Sequence, residues 1–256
     1  GEIHDTSNDA PRQDLHHLDR GGGPMKRKYL WWGLGTLVVL VIVVVAAGPW
    51  AYSKWIAGDA DDELALPSST QAASESVDGT WTIVPGPSAE ATRTQAGYRV
   101  DETLRGQPVT VNGRTTSVTG SATVAASKLE SADITVDVAS ITSPESMRDN
   151  RFRSSMIMDT DKFPTATWKL SEPVDISSVP ESGEPHAVEA TGEMTIKGVS
   201  KTVTTPLNIQ RSGASVIVQG SVPVTWTDYG VTPPSLGFVD VQDTGTIEFL
   251  VNLEKK

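Results

Sequence analysis

Val188-Glu-Ala-Thr-Gly-Glu-Met-Thr-Ile-Lys197 decides the fold class. Val188, Ala190, Gly192, Met194 and Ile196 fall on one side of an extended chain, and Glu189, Thr191, Glu193, Thr195 and Lys197 on the other. A period of two with one apolar face is the mark of a half-buried β-strand. The pattern recurs outward in both directions. Ser215–Trp226 sets Val216, Val218, Val222, Val224 and Trp226 against polar neighbours. Asp133–Val138 does the same with Ile134, Val136 and Val138, and Thr246–Leu253 with Ile247, Phe249, Val251 and Leu253. Weaker alternation covers Gly97–Leu104, Thr116–Val124, Thr165–Leu170 and Val199–Gln210, and Thr80–Val84 opens the series. The sequence therefore predicts about eight or nine strands, with turns at Asn112-Gly113, Lys197-Gly198 and Ser212-Gly213. Only Ser143–Arg153 reads as a short helix, with Ser143 as cap and Pro144 in its first position. Consecutive strands joined by short turns, each with one polar face, exclude a parallel α/β sheet and leave an antiparallel sandwich or barrel.

Ahead of this all-β domain, assigned to residues 79–256, the chain changes character. Trp31, Trp32, Trp50, Trp55, Tyr29 and Tyr52 bracket a nearly pure aliphatic run, and no charge occurs between Lys28 and Lys54. Leu30–Ala51 would measure about 33 Å as a helix, enough for a hydrocarbon core of roughly 30 Å. Residues 29–52 are thus expected to form a single transmembrane anchor, with aromatics at both interfaces. Arg12, Arg20, Lys26, Arg27 and Lys28 precede it, whereas Lys54 stands alone until Arg93. This asymmetry places the N-terminus in the cytoplasm and the β domain outside the cell membrane. Val45 and Ala47 have the spacing of a signal-peptidase site, but the apolar run exceeds the usual ~7–15 residues of a signal core, which favours an uncleaved anchor. Residues 1–28 read as a disordered cytoplasmic tail, and 53–78 as a flexible, solvated tether. Asp59, Asp61, Asp62 and Glu63 lack the glycine and distal glutamate of a calcium loop.

Composition narrows the function. The net charge of −11 argues against nucleic acid, which needs cationic surface. There is no cysteine, and His186 is the only histidine of residues 79–256. A thiolate metal site or a Cys/His pair cannot be assembled, and no G-x-S-x-G elbow presents a serine to His186. No catalytic residue, cofactor or metal ligand is assigned. A binding role instead uses the apolar faces. Val100, Ile134, Val136, Trp168, Met194, Val218, Trp226, Ile247 and Phe249 are the expected cavity wall, with Gly192, Gly220 and Ala190 leaving volume beside them. A solid core built from the same residues, in a structural or protein-interaction module, is the competing reading. Arg148, Arg151 and Arg153 form the one local cationic cluster of the domain and are candidates for a phosphate or carboxylate head group. A solvated helix face with internal ion pairs is the alternative for them.

Six stretches also carry a resemblance: Gly97-Tyr-Arg-Val-Asp-Glu, Gly113–Ser121, Val136–Ile141, Arg148-Asp-x-x-Phe-Arg153, Phe163-Pro-Thr-Ala-Thr-Trp168 and Gly192–Lys201. In this order and spacing, with Asp228-Tyr-Gly230 and Ile247–Leu253 closing the chain, they resemble the YceI-like family of bacterial proteins. The resemblance implies a lipocalin-like, antiparallel, extended β-barrel of about eight strands with one short helix. It further implies that a long-chain isoprenoid or similar amphiphilic lipid occupies an apolar tunnel; a homo-oligomer is compatible with it. Many family members carry a histidine in the opening strand. Trp81–Leu104 has none, and Pro85–Gln95 reads as an insertion there.

Overall fold

The computed structural model describes residues 36, 38–47, 60–68 and 71–256. Two compact units divide the chain, Gly1–Ala47 and Gly48–Lys256. In the first, residues 38–47 are helical and Val38–Val45 are each 50–67% exposed. The expected anchor at 29–52 lies largely outside the described residues, among which no helix is long and apolar enough to cross a membrane.

The second unit is a closed antiparallel barrel. Its strands are β1 (Gly79–Val84), β2 (Gln95–Leu104), β3 (Gln107–Thr115), β4 (Val118–Ala125), β5 (Lys128–Asp137), β6 (Thr165–Leu170), β7 (Val174–Asp175), β8 (His186–Ile196), β9 (Val199–Ser212), β10 (Ser215–Thr225) and β11 (Val239–Lys255). The ring runs β1-β4-β5-β6-β8-β9-β10-β11 and closes through β11 onto β1. Long β11 makes this possible. Its first part, Val239–Leu250, pairs with β2 across a bulge between Val241 and Gly245, and Asn252–Lys255 pairs with β1. β1 and β2 thus line one side of β11 in succession, interrupted by residues 85–94, and β3 leads into β4 beside them. Closure pairs each strand of the ring on both sides, the advantage a barrel holds over a sandwich, while β3 lies beside the ring with β2 as its strand partner and one bridge, Arg114 to Thr142, on its other side.

Two turns differ from the sequence reading. Asn112-Gly113 lies inside β3, and the hairpin turns instead at Arg105-Gly106, whose φ values of 49° and 81° are those of a two-residue hairpin loop. Gly113 serves close packing: a methyl group there would sit 2.7 Å from Cε1 of Tyr98. The β4–β5 turn is Ala126-Ser127, at φ 51° and 61°, with no glycine or asparagine to announce it. The carboxylate of Asp78 accepts both backbone N–H groups, at 3.1 and 2.9 Å, and holds the turn. The helix also starts later than expected, at Ser146, with Glu145 as cap. Ser143 donates its backbone N–H and hydroxyl to the buried Asp149 carboxylate at 2.7–3.0 Å instead.

The segment read as a solvated tether departs most. Residues 60–68 lie on the barrel's outer face as a strap, and 71–78 continue past the β9–β10 turn, where Ala73 bridges Gly213, to Val77, which packs against the interior. Leu64 and Leu66 cover Ile217 and Leu250, the apolar side chains that break the alternation of β10 and β11 by pointing outward. Asp61 exchanges hydrogen bonds with the Asn112 side chain at 2.8 and 3.1 Å. Arg99 and Arg114 donate to the backbone carbonyls of Asp61 and Asp62 while gripping the buried Glu248 between them. Further on, the buried Gln210 amide donates to the carbonyl oxygens of Pro67 and Gly183, and Lys255 to that of Ser76.

Candidate functional site

The barrel interior has two halves. One buried cluster gathers Trp81, Leu129, Ile176, Val179, Leu207 and Leu253 with their neighbours toward the end where β4 turns into β5 and β9 into β10. There Ile176 and Val179, on the loop after β7, pack over the end of the barrel with Trp81. The other cluster gathers Val100, Val111, Val138, Met194, Val222 and Trp226 toward the opposite end. Within this second half lies a cavity of about 390 Å³, inside the ~300–1,000 Å³ range of ligand sites.

Of the residues named from the sequence, Val100, Ile134, Val136, Trp168, Met194, Trp226, Ile247 and Phe249 line this cavity. Val218 does not; it faces a separate chamber of about 80 Å³ deeper in the barrel. The solid-core alternative therefore fails for the half that opens at the mouth. The small residues play a different part from the one expected. A methyl group on Gly192 would fall 2.4 Å from Cε2 of Trp168, and one on Gly220 would fall 2.3 Å from Cζ of Phe249. Gly245 stands in the same relation to Trp226, at 2.3 Å from Cζ2. These glycines leave no empty volume; each lets an aromatic ring lie against the backbone of a neighbouring strand.

The mouth is built by two insertions. After β5 the 3-10 turn Val138–Ser140 leads to the helix Ser146–Arg153, and after β10 the turn Trp226–Tyr229 leads to the loop 230–238. Asp149 pins the helix through Ser143, and Phe152 turns inward to stack on Tyr98 with ring centroids 5.0 Å apart. Burial, opposed by Arg148 and reinforced by Asp149 and Glu102, pushes the Tyr98 phenol up to about 12. It is therefore a neutral donor on the cavity wall at ordinary pH.

The three arginines have different fates. Arg148 lines the cavity, with Nη2 3.4 Å from Oε1 of the buried Glu102. Arg153 donates to the Asn150 side chain at 3.0 Å and to the carbonyl of Ile141 at 3.4 Å, and does not reach the cavity. Arg151 lines the mouth and is exposed, and among the described residues it makes no ion pair or side-chain hydrogen bond. Around it the rim is apolar: Met147 is 78% exposed, and Leu236 and Phe238 are also open to solvent.

The sequence reading missed Tyr98, Glu102 and Phe152, and with them the whole rim of 231–241. For the first two a signal existed, because they share the inward face of β2 with Val100. His186 is exposed at the start of β8 and does not line the cavity. Among the described residues no group of three or more His, Cys, Asp or Glu side chains is arranged to hold a metal ion.

A YceI-like domain is matched over residues 81–253. The chain belongs to the YceI-like family. Among solved structures, this YceI-like barrel is similar to a polyisoprenoid binding domain from Saccharophagus degradans implicated in plant cell wall breakdown. The two share 17% identity over 69% of this chain and 98% of that one, with a TM-score of 0.50. It is also similar to Burkholderia cenocepacia BcnA (24% identity, 60% of this chain and 95% of that one, TM-score 0.47). A Campylobacter jejuni YCEI protein is matched at 19% identity over 56% of this chain and 85% of that one, with a TM-score of 0.42. No curated protein matches the chain. The likeness to the Saccharophagus domain bears on the fold, which agrees with the closed eight-strand ring.

Proposed function

We propose that this YceI-like protein binds or carries a long-chain amphiphile, with an isoprenoid lipid as the favoured ligand. On this reading the barrel stands outside the cell membrane, held by the single span inferred at 29–52. The observation that carries the proposal is the apolar cavity of about 390 Å³, whose mouth bears Arg151, a cation uncommitted among the described residues. An interior of valine, isoleucine, methionine and aromatic side chains rewards hydrocarbon, and a guanidinium at the rim suits a phosphate or carboxylate. The Saccharophagus relative is described as a polyisoprenoid binding domain, which agrees with this ligand class. A non-catalytic role is part of the proposal: the lone histidine of the domain lies away from the cavity.

The test is native mass spectrometry of the full chain, taken from membranes into an amphipathic polymer without detergent exchange. A co-purifying lipid in the barrel is expected, and the apo protein should take up geranylgeraniol or palmitate. Clean apo protein that takes up neither would overturn the reading.

A further inference from the structure

The cavity and the deeper chamber are separate, yet Ile134, Trp168 and Phe249 line both. We propose that Trp168 and Phe249 form a septum across the barrel that fixes where the apolar tail of a ligand ends, and so sets an upper limit on chain length. This rests on the lipid-binding reading above.

The septum is built into the sheet. Phe249 of β11 is the direct cross-strand partner of Gly220 on β10, and its ring occupies the space a side chain would take there. Trp168 of β6 is paired with Met194, and its ring lies over Gly192, two residues away on β8. Two large rings are thus seated on two bare backbones from different sides of the barrel. Beyond them the chamber of about 80 Å³ is walled by Trp81, Leu129, Leu207, Val218 and Leu253 and is almost free of polar surface. Nothing chemical in that chamber would reject hydrocarbon. Each further methylene buried there would raise affinity about fourfold, so the limit is steric and lies in the septum.

The two tryptophans at its faces differ in how they are held. Trp81, on the far side, donates its indole N–H to the carbonyl of Val77 at 2.8 Å. Trp168 Nε1 is buried with no hydrogen-bond partner among the described residues. Trp81 is a pinned floor, whereas Trp168 is held by packing against Gly192 and its neighbours and gives way when that packing is relieved.

The experiment offers the full chain, in the same polymer, an equimolar mixture of saturated fatty acids of about 10 to 22 carbons. Bound chains are then quantified by mass spectrometry, with polymer alone as background. In the wild type, occupancy should rise on the order of tenfold for each two methylenes and then stop at a definite length. Phe249→Ala should move that cut-off to longer chains. Phe249→Leu, which keeps most of the packing, should move it in the same direction by less and serves if the alanine variant does not fold. Leu253→Ala widens the chamber from its far side, four residues beyond Phe249 on β11, and should leave the cut-off in place. Occupancy that climbs through the whole series in the wild type, or a cut-off unmoved in both Phe249 variants, would overturn the septum while leaving lipid binding intact. Binding of no chain by any variant would take down both.

Discussion

Glu248 should be the residue whose loss frees the strap. Its side chain is 4% exposed and faces outward from β11, where Arg114 approaches Oε1 at 2.8 and 2.9 Å and Arg99 approaches Oε2 at 3.4 Å. Both guanidiniums also donate to the carbonyls of Asp61 and Asp62, so one carboxylate organises two strands and the first residues of the strap. Removing one partner of a buried ionic cluster typically costs about 3–5 kcal/mol, because the charges left behind have lost water and gained nothing. The arginine side chains keep 14% and 12% exposure and retain their carbonyl acceptors, which places Glu248→Ala at the lower end, about 3 kcal/mol. Asp61→Ala is the control. Asp61 is half exposed and 3.8 Å from Arg114, so its loss should cost about 1 kcal/mol or less. Urea titration of Gly48–Lys256 followed by tryptophan fluorescence gives both numbers, and protease cleavage within 60–68 should rise in the Glu248 variant. A cost for Glu248→Ala no larger than that for Asp61→Ala would refute the argument that the strap is fastened through this carboxylate.

Two further predictions concern the site. Burial raises the Tyr98 phenol from 10 to about 12, so the folded state holds this proton more tightly than the unfolded chain does. Its contribution is complete below pH ~10 and is lost as pH rises through the folded value. By pH 12 the wild type should have lost about 2–3 kcal/mol more than Tyr98→Phe, read from paired urea midpoints at pH 9 and 12; parallel curves would count against it. For the mouth, Arg151→Gln should weaken a fatty acid by about tenfold and leave the matching fatty alcohol unchanged, since a hydrogen bond to a charged group is worth about 1.5 kcal/mol or more. Arg153→Gln, whose side chain is committed to Asn150 and Ile141, should change neither. Equal losses for acid and alcohol would show that the head group does not meet Arg151.

How much of this was legible in the chain depends on whether the cause was local. Alternation in Val188–Lys197 or Ser215–Trp226 is a property of each strand by itself, so the strands and most of the cavity wall could be read directly. Ile217 and Leu250 were the exceptions in otherwise regular strands, two apolar residues on the outer face, and they mark where the strap lands. The strap itself was invisible because its composition is that of a linker. What fastens it is a carboxylate 180 or more residues away and two arginines that look like ordinary outer-face charges. The glycines misled for a similar reason: an empty position on a strand says that something approaches, and only the neighbouring strand tells whether it is space or a ring. Ala126-Ser127 carried no turn signal because Asp78, far back in sequence, does the work usually left to glycine.

The two halves of the interior also bear on direction. Toward one end Trp81, Leu129, Ile176 and Val179 pack together and the loop after β7 lies across the barrel, held by the Ile176 N–H to the Ser127 carbonyl at 2.9 Å. At the other end the wall gives way to a short helix on one side and a loop on the other, with Met147, Leu236 and Phe238 exposed between them. Among the described residues the cavity opens at the apolar rim, and a ligand entering there passes it. Its tail must enter first, toward the septum, leaving any polar head beside Arg151 and Tyr98. On the lipid-binding reading proposed above, such a carrier would present the head of its cargo and not the tail, and its selectivity would divide in two: the rim would choose the head group, and the rings of Trp168 and Phe249 the length.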